Sequence, residues 1–132
     1  MPRILLDKIS KSYDGGQSIA VKELDLQIED GEFMCLLGPS GCGKTTTLRM
    51  IAGFEDPTAG DIRIDGNVVN DLEPRDRDLG MVFQSHALFP HKNVADNIAF
   101  GLRMQKVEKE EQGRKVKEVS ELVRITHLLD KM

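Results

Sequence analysis

Apolar and polar positions first alternate along this chain and then fall into a helical period, with glycine-rich punctuation between the two regimes. Residues 3–9 form an extended segment carrying Ile4, Leu5, Leu6 and Ile9, and in Val21 to Ile28 the apolar Leu24, Leu26 and Ile28 alternate with Asp25 and Gln27. Two strands are predicted, the second with one buried and one wet face. Between them Ser12-Tyr13-Asp14-Gly15-Gly16-Gln17 reads as a turn, and Asp30-Gly31 marks another. Phe33-Met34-Cys35-Leu36-Leu37 is a short unbroken apolar run, the pattern of a strand buried on both faces of a parallel sheet. Beyond it Leu48, Ile51 and Ala52 fall on one helical face, and Gly53 supplies a C-terminal stop.

Alternation returns after Pro57 and Gly60, where Asp61-Ile62-Arg63-Ile64 and Asn67-Val68-Val69 flank Asp65-Gly66, a dipeptide suited to a tight hairpin. A charged loop from Glu73 to Asp78 leads into Leu79 to Phe83, a second short apolar strand ending at Gln84. From Val94 to Leu102 and from Lys115 to Leu129 the period is helical, with Val116, Val119 and Val123 on one stripe. Gly113 is expected to keep the second helix from starting earlier, since an interior Gly costs about 1 kcal/mol against Ala.

Length and charge narrow the class. A chain of 132 residues suits one domain with a real core. With Lys+Arg 18 against Asp+Glu 22, no net positive field attracts nucleic acid or anionic lipid. The longest apolar run is Phe33 to Leu37 and the start lacks a signal-peptide pattern, so the chain is expected in the cytosol. Cys35 and Cys42 are too few for a disulfide framework, and neither they nor His86, His91 and His127 have metal-ligand spacing. Cys35 reads as strand core.

The chemistry concentrates in Gly38-Pro39-Ser40-Gly41-Cys42-Gly43-Lys44-Thr45, continuing into Thr46. Its glycines permit backbone angles that turn successive N–H groups inward as an anion nest, placed between an apolar run and a helix start. Lys44 adds a point charge for the β- and γ-phosphates, and the Thr45 hydroxyl suits Mg²⁺. The positive end of the following helix dipole points at the same place. This run predicts a nucleoside triphosphate site formed by Gly38, Pro39, Ser40, Gly41, Cys42, Gly43, Lys44, Thr45 and Thr46.

With these residues the chain resembles the ATP-binding subunits of ABC transporters, from the first strand to Met132, and bacterial importers of sugars or glycerol phosphate, then of polyamines or ferric ion, above all. Gln84 in Met81-Val82-Phe83-Gln84, 40 residues past Lys44, resembles the family glutamine that contacts Mg²⁺ and the attacking water. Tyr13, after Ile9-Ser10-Lys11-Ser12, resembles the aromatic on which adenine stacks. Ser85 to His91 with Val94 to Leu102 resembles the segment that opens the helical subdomain and docks on the membrane subunit, with Phe89 a candidate contact.

The resemblance implies an α/β P-loop NTPase (RecA-like) core, incomplete, with an N-terminal antiparallel β subdomain and the start of a helical subdomain. It implies ATP and Mg²⁺ as cofactors, Lys44 and Gln84 as catalytic groups, and Thr45 and Gln84 as metal contacts. Its partners would be membrane-spanning permease subunits and a second copy of the ATPase, not nucleic acid, at the inner face of the cell membrane. Residues 1–132 correspond to the N-terminal part of the ATP-binding domain, because no Leu-Ser-Gly-Gly-Gln signature, no apolar strand ending in Asp-Glu and no switch histidine follow Gln84. A fragment with weak nucleotide binding, negligible turnover and a tendency to aggregate is expected. The alternatives are a soluble ATPase switch of the same superfamily, which the net charge of −4 disfavours, and a truncated remnant without turnover. A small-molecule kinase or GTPase would not explain Gln84 followed by Leu88-Phe89-Pro90-His91. Alkylation of Cys42 is expected to block nucleotide binding; stoichiometric modification with unchanged affinity, read by mass spectrometry and ATP titration, would exclude this.

Overall fold

β1 (Ile4–Tyr13) and β2 (Ser18–Ile28) form an antiparallel hairpin in the computed structural model, which describes residues 2–132. A 3₁₀ turn at Asp14–Gly16 joins them. β1 also pairs antiparallel with β3 (Ala59–Ile64), which pairs with β4 (Asn67–Val68), giving the order β2-β1-β3-β4. The β3–β4 turn is the expected Asp65-Gly66, both residues at positive φ, the geometry that matches the twist of the strands it connects. The chain divides into two compact units, one running to Val82 and the other from Phe83 to Met132.

The core of the first unit follows from register. Leu6 stands opposite Leu26 on one side and Ile62 on the other, and only 1% of it is exposed. Ile9, three residues on, is also buried, although strict alternation would turn it to the other face. The register shifts between the two resolve this: Lys8 and Glu23 take positive φ where β1 and β2 fall out of step. There the backbone N–H of Lys8 donates to Asp25 Oδ1 (2.8 Å) and that of Glu23 to Ser10 Oγ (2.9 Å), so side chains replace ladder bonds. Val21, Ile62 and Ile64 complete the sheet's share, Val69 joins them just beyond β4, and α1 (Lys44–Ala52) contributes Met50 and Ile51. Thr47, Met50, Ile51 and Ala52 are the buried positions of α1, while Leu48, expected beside Ile51, is largely exposed.

Both ends of α1 are set by glycines at positive φ, Gly43 before it and Gly53 after it. At the C-terminal end the N–H of Phe54 donates to Arg49 O (2.9 Å) and that of Gly53 to Met50 O (3.2 Å). Arg77, which the sequence left in a charged loop, is 4% exposed and finishes the end. Its Nη1 donates to Met50 O (2.8 Å) and Ile51 O (3.1 Å), its Nε to Leu72 O (2.9 Å) and its Nη2 to Asn70 O (3.3 Å). Burial pushes the guanidinium's pKa below its ordinary value, against the charge of Asp56, which raises it. The group stays charged at any ordinary pH, so its positive end meets the negative end of the helix dipole.

Two expected strands do not form. Phe33–Leu37 and Leu79–Phe83 carry no ladder bonds, Phe33 and Leu37 are 90% and 91% exposed, and Cys35 is exposed rather than core. An apolar run becomes a strand only when it pairs with another strand, and none of the described strands pairs with either segment. The sheet present is therefore wholly antiparallel.

In the second unit α2 (Val94–Met104) matches the predicted helix, whereas α3 runs Lys109–Leu122 instead of 115–129. It passes through exposed Gly113, carried by the helix formers around it, the Glu111–Lys115 pair (3.2 Å) and Gln112, whose Nε2 donates to Val107 O (2.7 Å). Of the expected valine stripe only Val116 is buried, and Ser120, not Val119 or Val123, is the buried residue one turn later. Asn93 caps α2, accepting from Asp96 N at 2.7 Å. The N–H groups of Val94 and Ala95 donate to Lys131 O and Leu129 O, both at 2.9 Å. Asn97 ties down the preceding loop: Phe89 N donates to its Oδ1 (2.8 Å), and its Nδ2 donates to Lys92 O (3.1 Å) and Asn93 O (3.0 Å). Phe89 packs on Phe100 with ring centroids 4.5 Å apart.

Replacing Arg77 by Met leaves the Ile51, Asn70 and Leu72 carbonyls without the donor they have here and Met50 O with Gly53 N alone, and urea unfolding is expected to show a loss of about 3 kcal/mol. An unchanged midpoint would mean that water satisfies those carbonyls.

Candidate functional site

The concentration of glycine ahead of Lys44 produces a bend whose donors have no work within the fold. Cys42 N bonds Pro39 O (3.2 Å), and the next backbone N–H to find an acceptor among the described residues is that of Thr47, to Gly43 O at 2.9 Å. α1 has no side-chain cap. The amides of Gly43, Lys44, Thr45 and Thr46 are thus left for a ligand, at the positive end of a nine-residue helix. The Thr47 hydroxyl donates to Gly43 O (2.8 Å) and secures the first turn from inside.

Gly43 fixes the shape of this bend. Its φ of 90° lies in the left-handed region, and a Cβ there would run into the Ala20 carbonyl oxygen and come within 3.1 Å of Val21 Cγ2. The helix start therefore rests directly on the backbone of β2. Ala20, Ser40, Gly41, Gly43, Lys44, Thr45 and Thr46 together line an open cleft of about 420 Å³. Ala20 carried no signal of its own in the sequence. A small residue opposite a close-packed glycine shows its use only once the strand and the bend are brought together.

Lys44 crosses the cleft. Its Nζ donates to Gly38 O, to Pro39 O (2.9 Å) and to Cys42 Sγ (3.4 Å), so Gly38, Pro39 and Cys42 enter the site as the groups that hold this cation. Gly38 is needed for closeness, because a Cβ there would stand 2.5 Å from Cys42 Sγ. A concave cleft with bare amides, a half-buried ammonium and exposed threonine hydroxyls suits a polyanion: the amides bond oxygens, Lys44 neutralises charge and Thr45 is free to meet a divalent cation. The donor set fits a nucleotide's phosphates with Mg²⁺.

Tyr13 ends β1, opposite Ser18 on β2 and hence at the same end of the hairpin as Ala20. Its ring is exposed, with the Lys11 ammonium 5.1 Å from its centroid. Gln84 belongs to the second unit, where it is exposed on a segment without regular structure and makes no hydrogen bond among the described residues. The structure thus brings together every predicted residue of the glycine-rich run and leaves Gln84 in a separate body. The second unit has a larger groove, about 750 Å³, between α2 and α3, lined among others by Ala99, Arg103, Lys106, Gln112 and Val116.

Comparison with known proteins gives this geometry a lineage. Residues 21–132 match the ABC transporter family. The chain is 55% identical over 127 residues to a spermidine/putrescine import ATP-binding protein of Thermobifida fusca, covering 95% of this chain and 33% of that protein. It is 53% identical over 131 residues to a trehalose import ATP-binding protein of Mycobacterium tuberculosis, covering 99% of this chain and 33% of the relative. A solved dimeric ATP-binding cassette in a post-hydrolysis state, bound to ADP and Pi, superposes with a TM-score of 0.85 at 29% identity, covering 96% of this chain and 60% of that one. The chain thus spans about a third of the length of the curated relatives it matches.

Gly43→Ala sets strain and a backbone clash against the helix start, and is expected to cost about 2 kcal/mol in a urea melt together with most phosphate binding. Wild-type stability in that variant would show that the bend is not held where it is drawn.

Proposed function

Since the chain belongs to the ABC transporter family, we propose that it carries the nucleotide-binding part of an ATPase that drives solute import, with ATP and Mg²⁺ as its ligands. The observation that supports this reading is the unemployed first turn of α1, four amides facing a cleft crossed by Lys44. In this reading Gly41, Gly43, Lys44, Thr45 and Thr46 bond phosphate oxygens, while Gly38 and Pro39 carbonyls aim the Lys44 ammonium across them. Mg²⁺, when bound, neutralises phosphate charge and orients the leaving group. Thr45 offers it a hydroxyl, and Gln84 is proposed to meet the metal and the attacking water. Tyr13 is proposed as the platform for adenine, whose π-face stacks on an aromatic ring whatever its edge pattern.

Positioning and charge neutralisation are what this chain's residues supply to phosphoryl transfer, and both are arranged before the ligand arrives. Relatives named for trehalose and for spermidine/putrescine share nearly the same identity with it. Solute choice is accordingly assigned to other subunits. We place the protein at a membrane through permease subunits, the ordered Phe89–Lys92 loop offering a docking element. No helix among the described residues is long and apolar enough to cross a membrane. Pairing with a second copy is part of the same proposal, in keeping with the dimeric solved relative.

Lys44→Ala removes the one cation in the cleft, and equilibrium dialysis with labelled Mg-ATP is expected to show affinity lower by roughly tenfold or more, the scale of a charge-assisted hydrogen bond. Its thermal melt should match the wild type. Equal ATP affinity in the two proteins would overturn the proposal.

A further inference from the structure

Lys11 is placed unlike an ordinary surface lysine. Its side chain is only 14% exposed, and its Nζ lies 2.7 Å from Glu55 Oε1, itself 24% exposed. The same nitrogen donates to the carbonyl of Asp56 at 2.7 Å. Lysine is seldom covered to this degree without a partner, and here two acceptors fix the ammonium. The same ammonium stands over the Tyr13 ring, 5.1 Å from Nζ to centroid, within reach of a cation–aromatic attraction.

The frame around this cation is bonded as well. Thr58 N donates to Ser10 O (2.8 Å), and Ser12 N donates to Thr58 Oγ1 (3.0 Å), so the stretch after α1 is laced to the end of β1 that carries Tyr13. Lys11 is thus gripped by a loop which is itself anchored to the strand it belongs to. A ring held on one face by a fixed charge has one face left to offer. Ordering it in advance lowers the conformational cost of stacking a base on it.

We propose that Lys11, held by Glu55 and the Asp56 carbonyl, is a positioning residue for the nucleotide base: it fixes the Tyr13 ring so that a single face is presented for stacking. The proposal rests on the reading of Tyr13 as the base platform given above. It assigns to the loop beyond the helix C-terminus a part in holding the base, while the helix N-terminus holds the phosphates.

The chain has one Tyr and no Trp, so its intrinsic emission reports Tyr13 alone. The test titrates the whole chain with Mg-ATP and, separately, with Mg-tripolyphosphate, which has the anion without the base. Lys11→Met is expected to weaken ATP about fivefold, the scale of one exposed cation–aromatic contact, and to leave tripolyphosphate unchanged. Lys11→Arg should restore ATP affinity, and in a Tyr13→Ala background Lys11→Met should have no further effect. Glu55→Gln, which removes the carboxylate charge that pairs with the ammonium while keeping the side chain's size, provides the same comparison if Lys11→Met does not fold. Unchanged ATP affinity in Lys11→Met and Glu55→Gln, or an equal loss for both ligands, would overturn the positioning role. A wild type that binds ATP and tripolyphosphate equally, with Tyr13 emission unmoved by ATP, would instead remove the base platform, and the proposal with it.

Discussion

Helix α1 has a bonded negative end, with donors on Arg49, Met50 and Ile51 carbonyls, and a bare positive end, and the first unit is organised around that asymmetry. Carbonyls at the C-terminus receive Arg77, Gly53 N and Phe54 N, while amides at the N-terminus receive nothing from the protein. Burying a charged guanidinium is costly, and here a converging set of carbonyls, with the charge of Asp56 nearby, makes it tolerable. Arg77 therefore has one place to sit. Its seat holds the helix end against Asn70 and Leu72, and Gly43 seats the other end on Ala20. A helix fixed at both ends keeps its unpaired donors in register without a ligand to hold them there.

Local chemistry was the legible part of the sequence. The hairpin at Asp65-Gly66, the stop at Gly53, helix α2 and the whole bend from Gly38 to Thr46 follow from short-range rules, because each depends on residues within a turn of one another. Whatever depends on a distant partner was not legible. Phe33–Leu37 has the composition of a buried strand, yet pairing is a property of two segments. Arg77 looked like one charge among five in a loop, since nothing local says that Met50 and Ile51 will come to it. Lys11 and Glu55 lie far apart in sequence and likewise show no local mark.

Helix α3 taught the opposite lesson about glycine. Gly113 sits on an exposed face, where its cost is the propensity term alone, and ion pairs and strong helix formers on either side outweigh it. Val119 and Val123 were misassigned because a small buried stripe needs only one apolar residue per turn. Ser120, whose hydroxyl donates to Lys117 O at 2.8 Å, completes that stripe without a hydrophobic side chain.

The bonds from Val94 and Ala95 to the carbonyls of Lys131 and Leu129 give the second unit a direction in time. A ribosome delivers the start of α2 well before it delivers those two acceptors, so the nascent segment waits with exposed amides and a loosely held first turn. Closure comes only once residue 131 has cleared the exit tunnel, and until then Asn93 alone guards the helix start. The first turn of α2 is thus completed by carbonyls that follow α3 in the chain, not by the helices alone.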